Sequence, residues 1–336
     1  MMRSKLITLT FLLFSILSIE TAIADDSEYQ LGQGFKINDV LTIGGYFSTE
    51  YSNKNDQEEF AVDDLALLLY GSFSQNASYL IELESVNFYS EDFKNDTSGS
   101  NIFPILERFY FDYKKSDQLS FRVGKQITPI GYWNLQPINV LRETSSNPIL
   151  SRLMFPKFLT GLDVYGYTPF DDDLTYHFYL QGTKDLDNER INIDADSHFG
   201  FSLEKHFRND WQLGGSTGRF TEVDESETYY FQLNSRLDKY KYSFITEAIL
   251  NYKDPRAGND EKSQAFYLQG EYRFNPKHAL IGRVEYFHND QKKQKERIGI
   301  VGYSFRPLYP ISLKIEYQWH ADTDSDGVFS SFSVLF

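Results

Sequence analysis

The chain has 336 residues, no cysteine, and 48 acidic against 33 basic residues, a formal charge of −15. This excludes a disulfide framework, a thiol nucleophile and a zinc–thiolate site. It also leaves no surplus of Lys and Arg for a phosphate backbone, so no nucleic-acid partner is expected. Aromatic residues make up 17% of the chain while the mean hydropathy is negative, so the apolar side chains must be dispersed rather than gathered into runs.

The chain opens with Arg3 and Lys5, then an apolar stretch over residues 6–19, then Ala22, Ile23 and Ala24. A positive start, a short greasy run and a small-x-small pattern predict a cleaved export signal over residues 1–24; the run is short for a bilayer-spanning anchor. Residues 25–39 are expected to form an N-terminal segment on the periplasmic side. No apolar run of 18 residues follows, which excludes a bundle of membrane helices.

From residue 40 onwards the polarity alternates with a period of two. Candidate strands start near residues 40, 62, 77, 104, 118, 158, 173, 197, 210, 227, 240, 263, 276, 296, 310 and 328. The second is irregular, because residues 65–69 are apolar on both parities. The clearest is the fifteenth, where Ile311, Leu313, Ile315, Tyr317 and Trp319 alternate with Ser312, Lys314, Glu316, Gln318 and His320. Successive strand side chains point to opposite faces, so this segment has one apolar and one polar face; the i, i+3, i+4 spacing of a helix is missing. Connections after even-numbered strands are short, and those after odd-numbered strands tend to be longer and charged, including residues 53–59. All ten prolines fall in connections or at strand starts, where a missing N–H is tolerated. Trp211, Tyr240, Tyr242, Tyr309 and Phe336 fall near one set of strand ends, and Tyr51, Tyr252, Tyr286 and Trp319 near the other, as two aromatic girdles. The expected fold is all-β, a transmembrane antiparallel barrel of about sixteen strands over residues 40–336.

The longest connection, residues 128–157, lies between the fifth and sixth strands. Its apolar Ile138, Val140, Leu141, Ile149, Leu150, Leu153 and Met154 argue for a packed segment rather than a solvated one. It is expected to fold inward as a constriction, with Trp133, Arg142, Glu143 and Arg152 at the narrowing and the arginines facing Glu143 or lumen acids. The polar parity of the strands places Glu82, Glu84, Arg108, Asp112, Arg122, Arg236, Glu271, Arg273, Arg283, Glu285, Lys314 and Glu316 along the pore. Charges concentrate there because an Arg or Lys on the lipid face costs about 2–4 kcal/mol at the midplane. Excess acid on this parity gives an expected cation preference. No catalytic motif, cofactor motif or metal-ligand spacing appears. The six histidines are scattered, and the Asp322, Asp324, Asp326, Gly327 run has Ser333 where a calcium loop needs Glu, which leaves an ordinary hairpin.

Two stretches carry a family resemblance. The last strand ends in Phe332, Val334 and Phe336 on one face, which resembles the closing strand of Gram-negative outer-membrane proteins, whose terminal aromatic is read by the barrel-assembly machinery. Arg122, Val123, Gly124 and Lys125, followed by Thr128, Pro129 and Gly131, resemble a segment of porins related to the phosphate-selective type. The resemblance implies an open and trimeric channel for small hydrophilic solutes in the outer membrane, in contact with lipid and lipopolysaccharide. It does not carry over phosphate selectivity, because anion-selective members use a lumen ladder of Arg and Lys and this chain is acidic. A solute-specific channel with an aromatic track, and a closed structural or adhesive barrel, are the alternatives.

Overall fold

The computed structural model describes residues 29–55, 57–184, 192–256 and 258–336; the expected export signal lies outside them. Sixteen long strands run in chain order: β1 Thr42–Lys54, β2 Gln57–Ser74, β3 Ala77–Asp92, β4 Ile105–Ser116, β5 Leu119–Ile127, β6 Phe158–Thr168, β7 Asp171–Gln181, β8 Ala195–Phe207, β9 Trp211–Glu222, β10 Glu227–Asp238, β11 Tyr242–Asp254, β12 Glu261–Asn275, β13 His278–Asn289, β14 Gln294–Phe305, β15 Ile311–His320 and β16 Gly327–Leu335. Each pairs antiparallel with its neighbours, and β16 returns to β1 through pairs such as Val334↔Phe47 and Ser331↔Glu50. The sheet is therefore a closed barrel. Strand β2 departs most from its predicted start. Glu58 and Glu59 stay in the ladder opposite Asn53 and Ser52, so the charged loop expected over residues 53–59 is instead a tight hairpin.

The seam is fastened by the last residue. Gly45 N–H donates to the Phe336 carbonyl and Phe336 N–H to the Gly45 carbonyl, both at 2.8 Å. The Phe336 ring lies over Gly45 so closely that a Cβ there would meet it at 2.8 Å. Upstream, the short strands Tyr29–Gln30 and Gly34–Lys36 pair with each other, and the second extends the edge of β1 at Phe35↔Ile43.

Alternation sorts the side chains. On β15 Ser312, Lys314, Glu316 and Gln318 are buried while Ile315, Tyr317 and Trp319 are exposed. The outward set on β10 and β11 includes Tyr229, Phe231, Leu233, Phe244 and Leu250. Apolar exposure repeated around the whole circumference exceeds any patch a water-facing surface carries, and a closed sheet is one of only two structures that satisfy every backbone group in hydrocarbon. Trp211, Tyr240 and Tyr309 remain exposed at the short-turn end, and Tyr252 and Trp319 at the other.

Register shifts occur at several places around the sheet, among them Asp171/Thr175, Ala195/Ser197 and Arg273/Asn275, and three bulges on the β1–β4 wall re-aim interior side chains. Asp63 and Asp64 of β2 together oppose Ser48 of β1. Asn87 and Phe88 of β3 together oppose Asp63, with Asn87 in the left-handed region at φ 51°. Glu107 is the extra residue of β4 between the pairs Leu83↔Leu106 and Glu82↔Arg108. A bulge re-aims the residues it inserts, and here it turns consecutive side chains to the same face.

A charge on the outer face tests the lipid assignment. Leu233, mid-strand on β10 and 53% exposed, replaced by Arg should lower stability by about 2–4 kcal/mol, read by urea titration in phospholipid vesicles. No measurable loss would mean that this face meets water.

Candidate functional site: the barrel interior and its long loop

Residues 128–157 leave the end of β5 and return to the start of β6 by crossing the barrel interior, and the strand carboxylates explain how they are held. Glu247 of β11 accepts from the backbone N–H groups of Tyr132 and Trp133 at 3.0 and 2.9 Å and from the Tyr267 hydroxyl at 2.6 Å. Gly131 makes this approach feasible: it has φ 67°, and a Cβ there would lie 2.0 Å from the Glu247 carboxylate. Glu316 of β15 takes the N–H groups of Ser145 and Ser146 at 3.0 and 3.2 Å. Glu285 of β13 takes the N–H of Ile149 at 2.7 Å, the first residue of a one-turn helix, Ile149–Leu153. An irregular segment buried in a barrel must find partners for its backbone, and these acids supply them.

Cations grip the loop's carbonyls. Arg283 of β13 reaches Thr144 Oγ1 at 2.7 Å, Ser146 Oγ at 2.6 Å and the Ser146 carbonyl at 3.1 Å. Lys314 donates to the carbonyl and side-chain oxygens of Asn139. Arg306, just past β14, pairs with Glu143 at 2.9 Å and donates to the Arg142 carbonyl at 2.7 Å.

Apolar packing completes the contact. Ile130, Trp133, Ile149, Leu150, Met154 and Phe155 pack into one core with inward residues that include Phe220, Ile249, Tyr267, Phe287 and Ile300. Ile138 and Val140 pack with Tyr46, Ala66 and Leu68 in a second. This explains why residues 65–69 are apolar on both parities: Leu65 and Leu67 are exposed outward while Ala66 and Leu68 are buried beneath the loop.

Several expected roles change. Trp133 is 3% exposed; it lies edge-on to Tyr267 with the guanidinium carbons of Arg283 and Arg142 at 5.2 and 5.7 Å from its ring. It is a core residue and not an open stacking surface, because the loop folds its ring inward against the β12–β13 wall. Arg142 does not face Glu143: it donates to the Gln136 carbonyl at 2.6 Å and to Asn147 at 2.5 Å, while Glu143 is taken by Arg306. Arg283, Lys314 and Glu316 are sealed under the loop instead of lining water, since each is hydrogen-bonded to loop atoms, while Glu285 borders the cavity and also holds the Ile149 N–H.

The remaining predicted pore residues stand on the polar face, mostly in pairs. Arg122 and Asp112 form two bonds of 2.8 and 2.7 Å, Arg236 meets Asp238 at 3.0 Å, and Arg273 bridges Glu271 and Asp238 at 2.8 and 2.9 Å. Glu82 pairs with Arg108 and accepts from the Tyr46 hydroxyl at 2.7 Å. Arg152 and Glu84 line open space.

That space is a cavity of about 820 Å³ bounded by the loop, the β1–β4 wall and residues of β13–β16 such as Glu285, Glu296 and Gln318. Glu50, Asp63, Asp64, Glu84 and Glu107 line it on the wall side, and Arg142, Arg152 and Lys157 on the loop side. Strict alternation places Arg108 inward and Glu107 outward, and counted from the inward Ala66 and Leu68 it places Asp63 outward, so Asp63 and Glu107 escape a sequence reading based on parity; the Asp63–Asp64 doublet is the signal that could have drawn notice to the first. Among the described residues no group of three His, Cys, Asp or Glu is arranged to hold a metal ion.

The loop's attachment is open to measurement. In Glu247→Leu the N–H groups of Tyr132 and Trp133 lose their acceptor, at a cost of about 1–3 kcal/mol for each buried group left unsatisfied. Hydrogen exchange at those amides and proteolysis of residues 128–157 should both accelerate, while the heat-modifiable gel mobility of the barrel is retained. Unchanged exchange would show that the carboxylate does not hold the loop.

No family model matches the sequence. A stretch of 156 residues, 44% of the chain, is 28% identical to an uncharacterized protein of Aquifex aeolicus (strain VF5), and the match spans 33% of that relative's length. Among solved structures, the barrel is similar to in-vitro folded OmpT of Vibrio cholerae in its trimer form, with a TM-score of 0.63 at 11% identity over 88% of this chain and 99% of that one. It is similar to the anion-selective porin from Comamonas acidovorans, with a TM-score of 0.63 at 11% identity over the same shares of the two chains. The outer-membrane channel DcaP of Acinetobacter baumannii gives 0.61 at 9% identity over 90% of this chain and 100% of that one. This chain has the sixteen-stranded fold of the outer-membrane porins.

Proposed function

We propose that the protein is an outer-membrane porin through which small hydrophilic solutes and ions diffuse passively, with residues 128–157 as its constriction. One observation carries this reading: a closed sixteen-stranded barrel with an apolar exterior keeps an unfilled, charge-lined cavity beside its inward loop. Barrel diameter grows with strand number, so sixteen strands enclose more space than one loop fills. Arg142 and Arg152 face acids across that space, and opposed charge across a narrowing orients dipolar solutes and filters ions. The chain has no enzymatic role in this reading.

The trimeric neighbour supports a homotrimer, and the exposed apolar band supports contact with outer-membrane lipid and lipopolysaccharide. Residues 1–24 act as the removed export signal, residues 25–39 lie on the periplasmic side, and Phe336 at the seam is the residue offered to the barrel-assembly machinery.

A second reading has an observation in its favour. The apolar core inside the barrel is what a closed structural barrel would also contain. Planar-bilayer recording separates the two. A porin gives stepwise conductance in potassium chloride, and replacing Arg142 and Arg152 together by Ala changes the step size or ion preference. A silent membrane containing correctly folded barrels favours the closed reading.

A further inference from the structure

We infer that the β1–β4 wall is a track for small cations, so that this pore selects positively charged solutes of the ammonium and guanidinium class along with inorganic monovalent cations. The inference rests on the porin reading and names its solute class. The acids of this wall differ from the rest of the interior in how they are used. Glu247, Glu285 and Glu316 are spent on loop N–H groups, and Asp112, Glu271 and Glu82 on arginines. Glu84 is only 5% exposed, yet it borders the cavity and no donor among the described residues reaches its carboxylate. A carboxylate removed from most of its hydration and aimed into a polar cavity without a partner is completed by a passing cation.

The neighbours point the same way. Bulges turn Asp63, Asp64 and Glu107 toward the same space. Asp64 has the Ser48 hydroxyl at 2.7 Å and Glu50 the Asn139 amide at 2.9 Å; both partners are neutral and bring no positive charge to the wall. The facing cations are fewer and partly committed. Arg142 is bonded to Gln136 and Asn147, Lys157 lies 3.4 Å from Glu107, and Lys54 sits 4.6 Å over the Phe329 ring. Among the described residues no hydrogen bond or ion pair anchors Arg152, which lines the cavity from the loop side. The field across the cavity therefore runs from a basic loop to an acidic barrel wall, with acids in excess. A rim of one sign with low-dielectric walls concentrates the opposite ion.

The test uses the mature protein refolded into its native oligomer in a planar bilayer under a potassium chloride gradient. The reversal potential should show potassium preference, and the preference should fade toward molar salt as the screening length falls to about 3 Å. Asp63→Asn combined with Glu84→Gln should lower the potassium-to-chloride permeability ratio by about threefold or more. Asp117→Asn, an exposed acid at the short-turn end, should leave that ratio unchanged. Because the chain has no cysteine, Asp63→Cys supplies a second measurement that tolerates weak folding. A cationic methanethiosulfonate should modify it about tenfold faster than an anionic one. Chloride preference, an unchanged ratio in the folded double variant, or faster reaction with the anionic reagent would overturn the inference while leaving the channel intact. Absence of any conductance would remove the porin reading and this inference with it.

Discussion

Everything in this molecule follows from the cost of an unpaired backbone group in hydrocarbon. A sheet with a free edge would present a row of N–H and C=O groups to lipid, each unsatisfied at several kcal/mol; a closed sheet presents none. The seam between β16 and β1 is therefore the contact on which the other fifteen depend. It is made by residues with contrasting tasks: Gly45 has no side chain, which lets the Phe336 ring lie flat across the join, and the two residues exchange a reciprocal pair of hydrogen bonds. Once the circle is closed the alternation of side chains acquires its meaning, because one parity has nowhere to go but lipid and the other nowhere but the interior.

The same constraint reappears inside. A stretch of about thirty residues of irregular chain cannot enter a barrel unless its amides and carbonyls are met, and the interior meets them with charged groups. Carboxylates at three positions on different strands take loop N–H groups, and Arg283, Lys314 and Arg306 take loop oxygens. Hydrogen bonds to charged groups are about twice as strong as neutral ones, and taking away one partner leaves a buried charge exposed to its full desolvation cost. This arrangement fixes the loop in one register against the β11–β15 wall. The apolar cores fill the remaining volume and keep water out of those bonds.

Much of this was legible in the chain. The sixteen strands were written in a two-residue rhythm, plainest in Ile311 to His320 and weakest at residues 65–69 of the second, and the loop announced its packing through Ile138, Val140, Ile149 and Leu150. What the rhythm could not convey is partnership. Nothing in sequence spacing links Glu143 to Arg306, or Glu247 to the amide of Trp133, because those contacts are set by the path of the loop. Parity placed Arg283 and Lys314 correctly on the inner face, yet it could not tell a residue beneath the loop from one facing water. Bulges defeat parity outright: Asp63 and Glu107 stand on the outward count and point inward, since an inserted residue resets the alternation on one side of it. Even the anomaly at residues 65–69 was informative, for an inner face that is greasy in one stretch implies that something apolar lies against it.

These points separate the chain's overall charge from the charge its interior offers. A formal charge of −15 invites the view that every inward acid shapes ion passage, but an acid that accepts two backbone hydrogen bonds from a packed loop, as Glu247 and Glu316 do, is a structural anchor, and its field is largely answered by the donors around it. Only groups that border open volume and retain net charge act on a solute. The β11–β15 wall carries the attachments of the loop, and the β1–β4 wall presents Asp63, Asp64 and Glu84 to open volume. The bulges that border the cavity lie on the second wall. Regular pairing would give each strand one inward residue in two, whereas a bulge places adjacent acids side by side at the cavity without adding a strand or lengthening the barrel. Charge density at the opening is thus raised locally, by a defect in the ladder.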